Sequence, residues 1–183
     1  MIPQKTLIRR MKFTAIVTII LFLLLSIGSM IPLEDNEAEK VTEQLNQLRG
    51  EHIELKIFLN NLVVSLLSYI PFAGPCILGY TIFHTGRYLG WISNQMGIPS
   101  LLVLSFTIVT VYGIFEFLGY GVATTESITL SYYLIRSRKL LKREIKILIL
   151  SIAISMTLLL IGALIESSLI RAMEKITSLN PKL

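Results

Sequence analysis

At 183 residues, with 53% hydrophobic residues, 16% charged residues and a mean hydropathy of +0.69, the chain lacks the composition of a water-soluble globule. A single cysteine, Cys76, excludes an internal disulfide framework, and two histidines are too few for a Cys/His zinc cluster. The net charge of +5 is divided sharply between segments, which makes it a topology signal and leaves no need for a nucleic-acid partner.

In chain order, residues 1–12 carry Lys5, Arg9, Arg10 and Lys12 with no acid. The uncharged block Phe13 to Leu33 follows, about 31 Å long as a helix against a hydrocarbon core of about 30 Å. Ser26, Gly28 and Ser29 near its end suit a signal-peptide cleavage region, but the length favours an uncleaved signal anchor over residues 1–33. Residues 34–56 then hold seven acids against Lys40, Arg49 and Lys56. Because Lys and Arg near span ends stay on the cytoplasmic side, the N-terminus is expected there and the acidic segment outside. Within that segment Val41, Leu45, Leu48, His52, Leu55 and Leu59 alternate four and three apart. This short heptad seam predicts an external amphipathic helix that lies on the membrane, packs on its own spans or docks a partner, with Gly50 as its weak point.

The apolar blocks Ile57 to Gly86, Tyr88 to Phe115 and Ile147 to Ile165 form a membrane core over 57–165. Pro71, Gly74 and Pro75 divide the first into helices Ile57 to Ala73 and Gly74 to Ser93, and Asn94 to Pro99 reads as a turn. Ser100 to Ile135 is too long for one straight span and short for two. It divides into a half-helix, Ser100 to Tyr112, which turns back near Gly113, and a full helix to Ile135. The next basic block, Arg136, Arg138, Lys139, Lys142, Arg143 and Lys146, is opposed only by Glu144. The expected architecture is an all-α, polytopic transmembrane helical bundle with about five crossings plus a re-entrant half-helix; a true crossing by the half-helix gives six and places this basic block outside. From Glu166 a helical pattern through Leu169, Ile170, Met173 and Ile176 predicts an external amphipathic tail over 166–183, ending at Asn180 and Pro181.

Charges at bilayer depth cost about 2.5 to 3.5 kcal/mol each on insertion scales, so Arg87, Glu116 and Glu126 need compensation. Gly113, Glu116, Tyr120, Ala123, Ser127 and Ser131 recur three or four apart, a polar or small face that should point into the bundle. Arg87 or His84 on the preceding helix is the expected partner of Glu116, which makes either a packing ion pair or a proton or ion relay. Gly79, Gly86 and Gly90 share one side of their helix and allow close backbone approach. Asn60 and Asn61 beside an apolar run need partners and are expected to cap a helix break or the end of the half-helix.

Enzyme signatures are missing. Asp35 is the sole aspartate, which excludes a paired-aspartate membrane protease, and neither H-E-x-x-H nor G-x-S-x-G occurs. No cofactor and no metal are expected. The run IFLNNLVVSLLSYIPFAGPCILGYTIFHTGRYLG, followed after a turn by VYGIFEFLGYG, resembles the stage II sporulation protein M family of integral membrane proteins. That family's pattern has an Asn-Asn or His-Asn lead-in, a glycine-rich helix pair containing Asn-Gly, and a Pro-His-Gly-Ile-Phe-Glu-type segment. Asn61, Gly86, Gly90, Gly113 and Glu116 fall on these positions, over a resemblance that spans about residues 35–165. Thr85, Val111, Tyr112 and Phe117 to Gly119 depart from it. The resemblance implies a non-enzymatic cell-membrane component, a scaffold or subunit of a membrane complex. Its partners would be membrane lipid and other membrane proteins, with a homodimer open. Bacterial members resemble scaffolds that recruit peptidoglycan-degrading partners during forespore engulfment. The competing reading from the residues is a small transporter or permease subunit that uses the intramembrane carboxylate.

Overall fold

The computed structural model describes residues 4–48, 50–136 and 138–179. The fold is all helical across them: α1 (Gln4–Ser29), α2 (Asp35–Leu48), α3 (Ile53–Ser68), α4 (Ala73–Met96), α5 (Ser100–Val109), α6 (Val111–Arg136) and α7 (Arg138–Leu179). The end of the tail at Asn180 and Pro181 lies outside the described residues.

The chain breaks where local chemistry requires it. Asp35 and Glu37 occupy the first turn of α2, where the positive end of the helix dipole favours them. Gly50 (φ 99°) and His52 (φ 57°) are left-handed and separate α2 from α3. The expected heptad seam through His52 therefore does not form one helical face, and Leu45, Leu55 and Leu59 are exposed. The Pro71 and Phe72 turn separates α3 from α4, with the Phe72 amide donating to Ser131 Oγ at 2.7 Å. Gly97 (φ 63°) ends α4 in the left-handed conformation that glycine permits, and Pro99 follows. The half-helix ends at Val109, three residues earlier than expected. Its bend lies at Thr110, whose carbonyl accepts the Gly113 amide at 3.0 Å inside the next helix.

Contacts along the helices fix their relative directions. α1 runs parallel to α4, with Leu25 and Ser29 carbonyls against Gly86 and Gly90, and antiparallel to α6, with Phe22 stacked on Phe117 at 4.2 Å. α7 is antiparallel to α6 and to α3, while α3 is parallel to α6. One end of the bundle gathers Arg10, Glu126 and Glu144, and the other gathers Leu33, Asp35, Arg87 and Trp91. The main core consists of Val17, Leu21, Leu25, Leu78, Ile82, Leu104, Phe117, Tyr120 and Leu159, drawn from α1, α4, α5, α6 and α7. Among the described residues two helical segments, Gln4–Ser29 and Glu144–Lys175, are long and apolar enough to cross a membrane. α6 equals α1 in length at 26 residues and α4 has 24, and the two carry Arg87, Asn94, Gln95, Glu116 and Glu126.

Candidate functional site

Glu116 lies in the second turn of α6, just past the Thr110 bend, and it is half-buried. Asn61 Nδ2, from the middle of α3, donates to its Oε1 at 2.7 Å. The Glu166 carboxyl of α7 comes within hydrogen-bonding reach of the Glu116 carboxyl. Gly162, one turn earlier on α7, makes the approach possible, since a Cβ there would sit 3.0 Å from Glu116 Cγ and 3.3 Å from the Tyr112 carbonyl. The result is two acids and an amide held by three helices. The expected ion pair does not form. Arg87 Nε donates to the Ile31 carbonyl at 3.1 Å, and its guanidinium lies 3.7 Å from Glu37. His84 is half-buried against the Tyr80 ring, with centroids 5.8 Å apart. The physical reason is the glycine face of α4: Gly86 and Gly90 are pressed onto α1, which turns Arg87 towards the α1–α2 connection.

The asparagines also differ from expectation. Both lie inside α3 and cap no helix break: Asn60 is exposed and donates weakly to Asn61 at 3.4 Å, while Asn61 serves the Glu116 carboxylate. Gly86 and Gly90 do provide a close backbone contact, since a Cβ on either would collide with a carbonyl of α1. Gly28 of α1 completes that contact against Phe83 and Arg87. Gly79 does not share it, having only Leu24 Cδ1 at 3.7 Å. Gly113 is buried in the first turn of α6.

Below the carboxyl pair, Ser65 of α3 and Ser155 of α7 share a hydrogen bond of 2.8 Å, and Ser155 Oγ lies 3.0 Å from the Gly119 carbonyl of α6. Ser127 Oγ donates to the Ile70 carbonyl at 2.7 Å. Glu126 is 3% exposed and pairs with Arg10 of α1 at 3.0 Å, whose second terminal nitrogen reaches Glu144 of α7 at 2.7 Å. One cation thus joins two carboxylates on neighbouring helices. Among the described residues Glu126 Oε2 and Arg10 Nε have no hydrogen-bond partner. At the opposite end Glu54 pairs with Arg171.

Arg10, Glu144, Glu166, Ser65 and Ser155 were not singled out from the sequence. The available signal was on α7, where Glu144, Ser151, Ser155, Gly162 and Glu166 recur seven and four apart through an otherwise apolar helix. A family model described as Stage II sporulation protein M matches residues 12–169. No curated protein and no solved structure matches the chain.

Proposed function

Since the chain belongs to the Stage II sporulation protein M family, we propose that it is a non-enzymatic, multi-pass scaffold or complex subunit of the cell membrane, with its N-terminus cytoplasmic. In this reading α1, α3, α4, α6 and α7 are the five crossings and α5 is the re-entrant half-helix. The directions in which these helices pack support it: they bring the basic ends of α1, α6 and α7 together and leave the acidic α2 at the other end.

The observation that carries the scaffold reading is the pairing of interior polar groups across helices. Asn61 with Glu116, Ser65 with Ser155, Ser127 with Ile70, and Arg10 with both Glu126 and Glu144 hold the bundle in one packing. Fixed packing suits a platform for partners. α2 supplies an outward surface, clamped onto α4 by Trp91 to Asp35 (2.8 Å) and Thr42 to Tyr88 (2.9 Å) while its acids Glu39 and Glu43 remain accessible.

A transporter reading draws on one observation, the Glu116 and Glu166 carboxyls facing each other with an amide and no cation among their described contacts. The variant Glu116→Gln separates the two readings in proteoliposomes with a trapped pH indicator and in native-membrane crosslinking read by mass spectrometry. A scaffold shows no proton flux above empty vesicles, and the substitution lowers folding yield or partner crosslinks. A wild-type flux that the substitution abolishes overturns the scaffold reading.

A further inference from the structure

Beside the Arg10 cluster, a cleft of about 560 Å³ opens between the first turns of α1 and the last turns of α6. Its rim carries Arg9 and Lys12, and Phe13, Ile16 and Ile128 form apolar walls, with Tyr133 at the edge. The three neighbouring cations differ in use. Arg10 turns inward and is engaged by two carboxylates, whereas Arg9 and Lys12 are exposed, with no hydrogen-bond or ion-pair partner among the described residues. The remaining charged residue of the lining, Arg10, is also positive, and outside the cleft Arg136 donates to the hydroxyl of the lining Tyr132 at 2.5 Å and lies over its ring at 5.7 Å from the centroid. The lining holds no acid among the described residues, and Glu126 and Glu144, at the same end of the bundle, are both held by Arg10.

We infer that this cleft is a binding site for an anionic phospholipid of the cytoplasmic leaflet. The phosphate is held between Arg9 and Lys12, the tyrosines lie at headgroup level, and the first acyl segment runs along Phe13, Ile16 and Ile128. The argument rests on charge and shape together. Two unengaged cations call for an anion, and an apolar wall continuing from them into the bundle calls for a chain attached to it, which a free phosphate does not have. Tyrosine suits this depth because one end of the ring is apolar and the other polar. A lipid seated here joins the cytoplasmic ends of α1 and α6. The inference needs the membrane orientation proposed above but not the scaffold role, and its test reads neither flux nor partner binding.

The test is native mass spectrometry of the full chain, released from neutral detergent micelles containing equimolar phosphatidylglycerol and phosphatidylcholine. Two cations worth about 1 kcal/mol each give the anionic lipid a preference of roughly tenfold or more. Arg9→Gln with Lys12→Gln should bring retention of the two lipids close to parity, and the charge-preserving pair Arg9→Lys with Lys12→Arg should keep the preference. Lys5→Gln with Lys146→Gln removes the same charge elsewhere in the basic segments and should leave it intact. Ile128→Trp, which fills the wall, should reduce lipid retention with Arg9 and Lys12 in place. Unchanged circular dichroism of each variant establishes that it is folded. The site is overturned by equal retention in the wild type, by an equal loss in the Lys5 and Lys146 variant, by full retention in Ile128→Trp, or by displacement of the lipid with excess inorganic phosphate.

Discussion

Arg10 is the residue on which the interior electrostatics turn. Its two terminal nitrogens serve carboxylates from different helices, Glu126 on α6 and Glu144 on α7, and the three side chains are nearly withdrawn from solvent. Breaking a buried pair by removing one partner is costly because the other charge is left uncompensated, about 3–5 kcal/mol. Arg10→Gln is therefore expected to destabilise the protein by roughly that amount, read as a lower denaturation midpoint in mild detergent. Arg10→Lys should recover only part of the loss, since one ammonium lacks the planar fork that reaches both carboxylates. Glu126→Gln should cost less than Arg10→Gln, because Arg10 keeps Glu144. At this scale the sequence is half legible. Glu116, Glu126 and Asn61 are conspicuous as polar residues in apolar surroundings, but their partners are not, because Arg10 lies 116 and 134 residues from its two acids. A basic N-terminal segment has a sufficient explanation in topology, which hides the one member that turns inward.

At the level of elements, glycine placement decides which helices touch. α1 and α4 pack backbone to backbone at Gly28, Gly86 and Gly90, where any Cβ meets a carbonyl of the facing helix, and main chain cannot swing aside. Gly86→Ala is expected to force the helices apart and cost about 1–3 kcal/mol or more. Gly79→Ala, with only a flexible leucine methyl at 3.7 Å, should be neutral or stabilising by up to about 1 kcal/mol through helix propensity. Paired thermal unfolding of the two variants distinguishes a single contact patch from a uniform glycine face. Breaks between elements were readable because their causes are local: Pro71 and Gly74, then Gly97 and Pro99, stand next to the ends they make. The α2–α3 break was harder to read. The four-three spacing continues through His52 although the backbone does not, and only Gly50 marked the position. Which face of α4 meets α1 depends on tertiary packing, so the sequence directed Arg87 towards Glu116 when it belongs to the α1–α2 connection.

For the molecule as a whole, the five-crossing reading leads to a labelling experiment. With Cys76 replaced by serine, single cysteines at Glu43 and Lys146 should react with membrane-impermeant maleimide from opposite faces, Glu43→Cys in intact cells and Lys146→Cys only after permeabilisation. Same-side labelling would require an even number of crossings between them. α7 spans 42 residues, roughly 63 Å, about twice the hydrocarbon thickness, so its ends must project into water or lie at the interface. One continuous helix thus unites the second basic block, the last apolar stretch and much of the tail, segments that composition alone separates.

The triad of Arg10, Glu126 and Glu144 also bears on how the protein is made. The guanidinium leaves the ribosome more than a hundred residues before its two counter-ions are synthesised. The glycine contact of α1 can close as soon as α4 is made, but Arg10 stays without its counter-ions until α6 and α7 follow. Closure of the bundle waits for the final hairpin, so nascent chains that stall before that hairpin should be degraded rather than accumulate as partially built intermediates.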